Sequence, residues 1–244
     1  MLGFLPDAIG GRMTDVNASV PVLATMILFV GSHLLLSHPL RQPLVARLGE
    51  RGFSILYALV AFATLGGVIL AYRAAPPTPP MWVVGDGLWA LATVIMLIAS
   101  VLLMGSLVRN PALPGGQAAG RAEARGVFAV TRHPMMWSFA LWGVAHILVF
   151  PVAPNIVLCL GIIMLALVGS ALQDRKKMGQ DPNGWQAWEA RTSYWPFASI
   201  LDGRTRLGGF GGHALGGGIV VWLVATWAHI PLSGWAAGIW RWIV

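Results

Sequence analysis

Apolar residues along this chain come in long unbroken runs, at about 19–37, 53–73, 84–107, 134–150, 152–173 and 217–240, parted by short polar stretches. A hydrocarbon core about 30 Å thick takes roughly 20 helical residues, and a helix satisfies its own backbone polar groups there. The pattern therefore predicts an all-α integral membrane protein, a single domain over 1–244 with six transmembrane helices in a compact bundle. Runs four and five are parted only by Pro151 and Pro154, which predicts a helical hairpin with a tight turn. No period of 20–50 residues repeats, which excludes a solenoid. The first residues, MLGFLPDAIGGRM, lack a cationic start and a small-residue cleavage site, so no signal peptide is expected.

Composition sharpens this picture. Hydrophobic residues make up 57% of the chain and charged ones only 10%, against roughly 25% charge in a soluble globular protein. That excludes a secreted disulfide scaffold, a disordered chain and an ordinary cytosolic enzyme. With one cysteine, Cys159, there is no internal disulfide, thiolate zinc site or C-x-x-C-H haem attachment. Any metal must sit on His, Met or carboxylate.

The net charge of +7 would suit nucleic acid only if the cations gathered on one soluble face. They do not. Thirteen of the sixteen Lys and Arg fall in three loops: Arg41, Arg47 and Arg51; Arg109, Arg121, Arg125 and Arg132; Arg175, Lys176, Lys177, Arg191, Arg204 and Arg206. The positive-inside rule makes these loops cytoplasmic, so both termini are expected on the periplasmic side of a bacterial inner membrane. PPTPP at 76–80 and the turn at 151–154 carry no charge and are expected outside, with Trp235, Trp240 and Trp242 as an aromatic belt. GGFGGHALGGG at 208–218 follows no predicted strand, so it reads as a flexible linker rather than a dinucleotide loop.

Ionisable side chains inside a membrane are costly, which marks His33, His146 and His229, each within an apolar run, as candidates for chemistry. Neutral imidazole suits haem iron, and two facing helices supply two axial ligands; the alternative is that each His hydrogen-bonds a neighbouring helix. Thr131-Arg132-His133-Pro134 opens the fourth run with Pro at the first helical position and His133 at the N-cap. This is either an anion site or a well-capped helix start. Gln173-Asp174-Arg175-Lys176-Lys177, then Trp185, Trp188, Glu189 and Arg191, then TSYWPFASILDGR, form either a headgroup-facing segment or the closure of a cofactor site. No Ser/His/Asp or Cys/His arrangement appears, and the carboxylates are few and loop-bound, which gives no paired acid and base.

FVGSHLLLSHPLRQPLVARLGERGFSILYALVA, TRHPMMWSFALWGVAHIL and ARTSYWPFASILDGR together resemble the NnrU family of bacterial membrane proteins. That family is similar to the plant and cyanobacterial zeta-carotene isomerase, and the likeness covers about 20–240. The resemblance implies a b-type haem and cis–trans isomerisation of a polyene, with His33 and His146 matching the ligand histidines. It also implies an association with denitrification, in which the haem would serve electron transfer or assembly without catalysis. Gly143 stands where the isomerase has cysteine, so exchange of a thiolate ligand is not expected here. A more distant likeness joins R-H-P before an apolar helix, a basic run, W-x-x-W and a downstream Pro. It is similar to membrane methyltransferases of the isoprenylcysteine carboxyl methyltransferase type and to membrane sterol reductases, and implies His133, Asp174, Arg175, Trp188 and Glu189 near S-adenosylmethionine or a nicotinamide.

Helix rise complicates the histidine pair. His146 is expected roughly 18 Å above Pro134 and His229 roughly 16 Å above the start of the last run, but His33 only 5 to 6 Å from the inner end of the first. Pairing His33 with His146, kept as first choice because the motif match is residue by residue, requires the first helix to extend further inward, kinked at Pro39, or the fourth to begin deeper or tilt strongly. His229 is the named substitute.

Overall fold

In a computed structural model the backbone is described for residues 6–113 and 116–244, with side chains from residue 17 onward. The expectation about a signal peptide falls on residues 1–13, whose side chains lie outside the described set. The main helices are α1 (Pro6–Ser37), α2 (Arg41–Ala74), α3 (Asp86–Ser106), α4 (Pro134–Val149), α5 (Ala153–Gln180), α6 (Pro182–Arg191) and α7 (Gly211–Ser233). Short helical turns lie at Ala119–Arg121, Val127–Val130, Ala198–Leu201 and Gly238–Trp242. No strand occurs among the described residues. The Asn17–Ser37 part of α1, with α2, α3, α5 and α7, is long and apolar enough to cross a membrane. This is a multi-pass, all-helical membrane protein, and its exposed apolar side chains, such as Phe62 and Leu70 on α2, face lipid.

The described chain forms two compact units, one running to Val84 and including His146–Leu165, the other Gly85–Ala145 with Ala166–Val244. In the first, α1 buries Val22, Met26, Phe29 and Val30, an i, i+4, i+7, i+8 stripe, against Val68 of α2 and against Val157, Leu158, Ile162 and Leu165 of α5. Gly161 leaves room for the Met26 side chain. Helix α2 begins twelve residues before its apolar run, because Arg41–Leu48 is itself helical and the backbone turns at Gly49 (φ 71°). Arg41 clasps both Glu50 oxygens across that break, at 2.9 and 3.1 Å.

The two uncharged connections meet in the same unit. The Met81 amide donates to the Pro151 carbonyl (2.8 Å) and Trp82 Nε1 to the Leu148 carbonyl (3.1 Å). The turn between α4 and α5 is closed by Asn155, whose side-chain amide donates to the carbonyls of His146 (3.1 Å) and Phe150 (2.7 Å).

In the second unit α3 packs along α7, and small residues bring them close. A methyl on Gly218 would lie 2.7 Å from the Val101 Cα, and one on Gly105 would lie 2.5 Å from Val127 and 3.1 Å from Ala214. Without a hydrophobic force between helices in lipid, such close backbone approach supplies the van der Waals contact that holds them. From Gly211 onward the stretch 208–218 is therefore helix rather than linker, and Gly217 and Gly218 are contact surface against Met104 and Val101. Helix α7 ends earlier than the apolar run implies, because Pro231 removes a donor and Gly234 adopts the left-handed conformation (φ 73°), its amide bonding the Ile230 carbonyl. Trp235, Trp240 and Trp242 follow the helix. Trp240 Nε1 returns to the Leu223 carbonyl (3.1 Å), and Arg241 reaches Asp86 (3.1 Å) and stacks 4.8 Å over Trp89, placing the C-terminal segment beside the start of α3.

Gly218→Leu is expected to lower the thermal midpoint in detergent by overpacking worth about 1–3 kcal/mol. Gly216→Ala, with nothing within contact reach, is expected to hold or raise it through better helix propensity.

Candidate functional site

Among the described residues the densest polar cluster lies in the second unit, where α4 begins. Thr131 is extended and its hydroxyl accepts from the His133 amide (3.3 Å), leaving Pro134 free to open α4 without an amide hydrogen. The stretch before Pro134 is sewn to the TSYWPF stretch. The Thr131 hydroxyl donates to the Tyr194 carbonyl (2.8 Å), the Arg132 amide to the Ser193 carbonyl (2.8 Å), the Phe197 amide to the Val130 carbonyl (2.7 Å), and Trp137 Nε1 to the Tyr194 carbonyl (3.0 Å). The Tyr194 hydroxyl anchors to the Leu167 carbonyl (2.6 Å), and its ring lies edge-on to His133 and under the Arg132 guanidinium.

Asp174, on the last turns of α5, is the hub. One oxygen accepts from His133 Nε2 at 2.6 Å; the other accepts from Arg132 Nε at 2.8 Å and faces its Nη2 at 2.7 Å. The same Nη2 reaches Glu189 of α6 at 3.0 Å. His133 is 2% exposed and Asp174 8%. At that burial a carboxylate is held only by partners of this kind. Sequence reading offered an anion site at this helix start; the anion there is Asp174 itself, brought from 41 residues away. Of the residues placed by the methyltransferase-like resemblance, His133, Asp174 and Glu189 converge, Arg175 is exposed, and Trp188 is buried beside Phe128 in an apolar cluster. The charges of this cluster are turned on one another, and the arrangement works as a clamp.

The membrane histidines are placed differently. His33, near the end of α1, has Nδ1 2.9 Å from the Phe29 carbonyl and its ring against Phe29 and Tyr57, at centroid distances of 4.4 and 5.4 Å. A bond from Nδ1–H to a carbonyl puts the lone pair on Nε2, the state in which imidazole ligates a metal. His229 makes the same bond to the Ala225 carbonyl (2.8 Å) in the second unit. Sequence reading passed over His38. Its Nδ1 is held by the Ser37 hydroxyl (2.8 Å), and its Nε2 is buried with no hydrogen-bond partner. Only its place one residue past an apolar run hinted at it.

His33 and His146 share a unit but not a depth. Helix α2 runs antiparallel to α1, with Tyr57 against His33 and Gly67 beside Thr25, and the loop that follows it bonds the turn that begins α5. Helices α1 and α5 are therefore parallel, with Met26 over Gly161. His146 is tied to Asn155, roughly 9 Å above Gly161, while His33 is roughly 10 Å below Met26. The two histidines are thus roughly 20 Å apart along the helices, too far for two imidazoles meeting at one iron. Helix α1 ends at Ser37 and α4 begins at Pro134, so neither a longer α1 nor a deeper start of α4 brings the two closer. Of the two rings, that of His33 has its Nδ1 held by a backbone carbonyl, with Nε2 presented. Among the described residues no three His, Cys, Asp or Glu gather as a metal site.

Comparison with known proteins adds two findings. The model of the family described as NnrU protein matches residues 21–237. A stretch of 82 residues, 34% of this chain, is 33% identical to the chloroplastic 15-cis-zeta-carotene isomerase of Zea mays, of which it spans 22%. No solved structure gives a significant match.

Asp174→Asn is expected to destabilise the protein by about 3–5 kcal/mol, since it strips the partner from a buried guanidinium. Glu189→Gln, at a carboxylate 31% exposed, is expected to cost less than about 1 kcal/mol. Thermal unfolding of both variants in the same detergent checks the order, and a costlier Glu189→Gln would mean that Asp174 is not the hub.

Proposed function

The chain belongs to the NnrU family, and from that premise we propose that it is a membrane enzyme isomerising a cis double bond in a long apolar polyene. The observation that carries this reading is the 33% identity with a carotene isomerase. The chemistry agrees with it. A cis–trans change adds and removes no atoms and no electrons, so it needs no paired acid and base, and a polyene dissolves in the lipid that the exposed helices contact.

Within this reading His33 is the residue at the reacting centre. Phe29 and Tyr57 give it an aromatic wall suited to a conjugated chain, and the Phe29 carbonyl holds its ring with Nε2 presented. The cofactor is haem b, with His33 holding the iron; when bound, it supplies an iron centre that draws electron density from the double bond and lowers its barrier to rotation. His146 and His229 act elsewhere on the chain. The clamp at Asp174 keeps the inner ends of α4 and α5 fixed while the membrane part accepts substrate.

The same proposal sets the topology. Six crossings, with α4 as the short one at roughly 24 Å, put the charged loops in the cytoplasm and both termini in the periplasm of a bacterial inner membrane. The hydrogen-bonded meeting of the 75–85 loop with the 150–152 turn supports a shared outer side.

Membranes containing the protein are expected to convert 15-cis-zeta-carotene into a product of changed retention and unchanged mass on chromatography; no conversion in haem-replete membranes overturns the activity. For the cofactor, purified protein is expected to show a Soret band that His33→Ala abolishes and His146→Ala retains. Loss in the His146 variant alone would move the iron to the other end of the bundle. Reporter fusions at 78 and 205 are expected to show a periplasmic and a cytoplasmic signal respectively.

A further inference from the structure

Away from His33 and from the Asp174 clamp, the second unit holds a cleft of about 480 Å³ where α3 ends and α7 begins. Arg109, Arg125 and His213 line it, with Gln117 as a neutral donor and Glu123 as its single carboxylate. Arg125 faces Glu123 at 3.0 Å, but both side chains are about two-thirds exposed. In that solvent the pair is worth little and leaves the guanidinium available to a second anion. Arg109 holds its place with φ at 56°, a left-handed conformation that a non-glycine residue seldom takes.

The surroundings of the cleft are amphiphilic. The apolar stretch of α3 stops at Ser106, and Val108 in the lining, with Leu107 and Leu215 next to lining residues in the chain, are exposed large hydrophobics. One wall is therefore cationic and donor-rich while the adjoining surface suits acyl chains. The cleft also belongs to the charged loops, which lie against one another here: Lys177 Nζ donates to the Pro111 carbonyl and Thr205 to the Ala124 carbonyl. Basic clefts between membrane helices on the side of the charged loops take anionic headgroups, and planar guanidinium groups match phosphate oxygens in pairs.

We propose that this cleft is a phosphate-binding site, with Arg109 and Arg125 as its cationic contacts. Two sources offer that chemistry, the headgroup of an anionic phospholipid and free phosphate from the cytoplasm. The rim of exposed leucine and valine suits the lipid. Neither the isomerase reading nor a haem is needed for it.

The test uses the purified full-length protein in nanodiscs of phosphatidylcholine alone or with phosphatidylglycerol, and in detergent with inorganic phosphate. Binding is read as bound lipid by native mass spectrometry and as a shift in thermal midpoint. The double variant Arg109→Asn with Arg125→Gln removes both charges, asparagine tolerating the left-handed backbone. Arg47→Gln, on the first turns of α2 in the first unit, controls for surface charge at large. The wild type is expected to retain phosphatidylglycerol over phosphatidylcholine, and the double variant to lose affinity roughly thirtyfold, from about fivefold per arginine at an anionic surface. Arg109→Lys with Arg125→Lys, which keeps the charge, is expected to retain most of the binding and guards against a loss that is merely misfolding. Retention displaced by millimolar inorganic phosphate assigns the site to free phosphate; retention that phosphate does not displace assigns it to lipid. Equal binding by the wild type and the double variant, or an equal loss in Arg47→Gln, overturns the proposal.

Discussion

The charged side of the second unit hangs on one carboxylate. Asp174 holds Arg132 and His133 together, and through Arg132 it reaches Glu189, so three separate stretches converge on a residue only 8% exposed. A buried ion pair of this kind adds little net stability over an apolar substitute, because desolvation consumes most of its Coulomb energy. Its value here is geometric. A leucine in place of Asp174 would accept several registers between α4 and α5, whereas two hydrogen bonds to a guanidinium and one to an imidazole accept one. The paired strands of hydrogen bonds between 130–132 and 193–197 then follow, since Thr131 and Tyr194 are held in register by what Arg132 and His133 grip.

Inside the lipid the problem is different, and so is the solution. Helices α3 and α7 have no water to escape from, so their association rests on contact alone, which Gly105, Ala214 and Gly218 permit by letting one backbone lie on another. Helix α1 uses the opposite device in the first unit, a stripe of large side chains with Met26 filling the space over Gly161. Both serve one domain-scale requirement, that apolar helices remain ordered where hydrophobic burial offers no preference between protein and lipid.

Much of this was legible in the chain. The apolar runs give the helices, since nothing but helix tolerates them in a bilayer, and Pro134 and the prolines at 151 and 154 mark true ends. The last helix was misjudged because apolar content continues past Pro231 and Gly234, and backbone stereochemistry rather than hydropathy stops it. Glycines at 211–218 read as looseness, for composition does not reveal that they open a helix or that α3 lies against Gly217 and Gly218. The clamp was half legible. Arg132 and His133 stand out beside a proline, but Asp174 and Glu189 lie 42 and 57 residues beyond Arg132, and no local period announces such a meeting. Membrane depth, finally, is a property of packing register. The resemblance paired His33 with His146, and only the contacts of Met26 and Asn155 show how far apart along the bundle they sit.

The end of α4 carries a further consequence. A helix leaves its last carbonyls without partners of its own, and in hydrocarbon each such group is a penalty that ordinarily forces a crossing to continue until it meets water. Here the Leu148 carbonyl is taken by the Trp82 side chain, and those of His146 and Phe150 accept the Asn155 side chain beside the amides of Phe150 and Val152. Helix α4 is therefore released from the length rule. Asn155 and Trp82 perform inside the protein the office that interfacial water performs for its longer neighbours, so that a sixteen-residue helix and a twenty-eight-residue helix form one hairpin without either end being stranded.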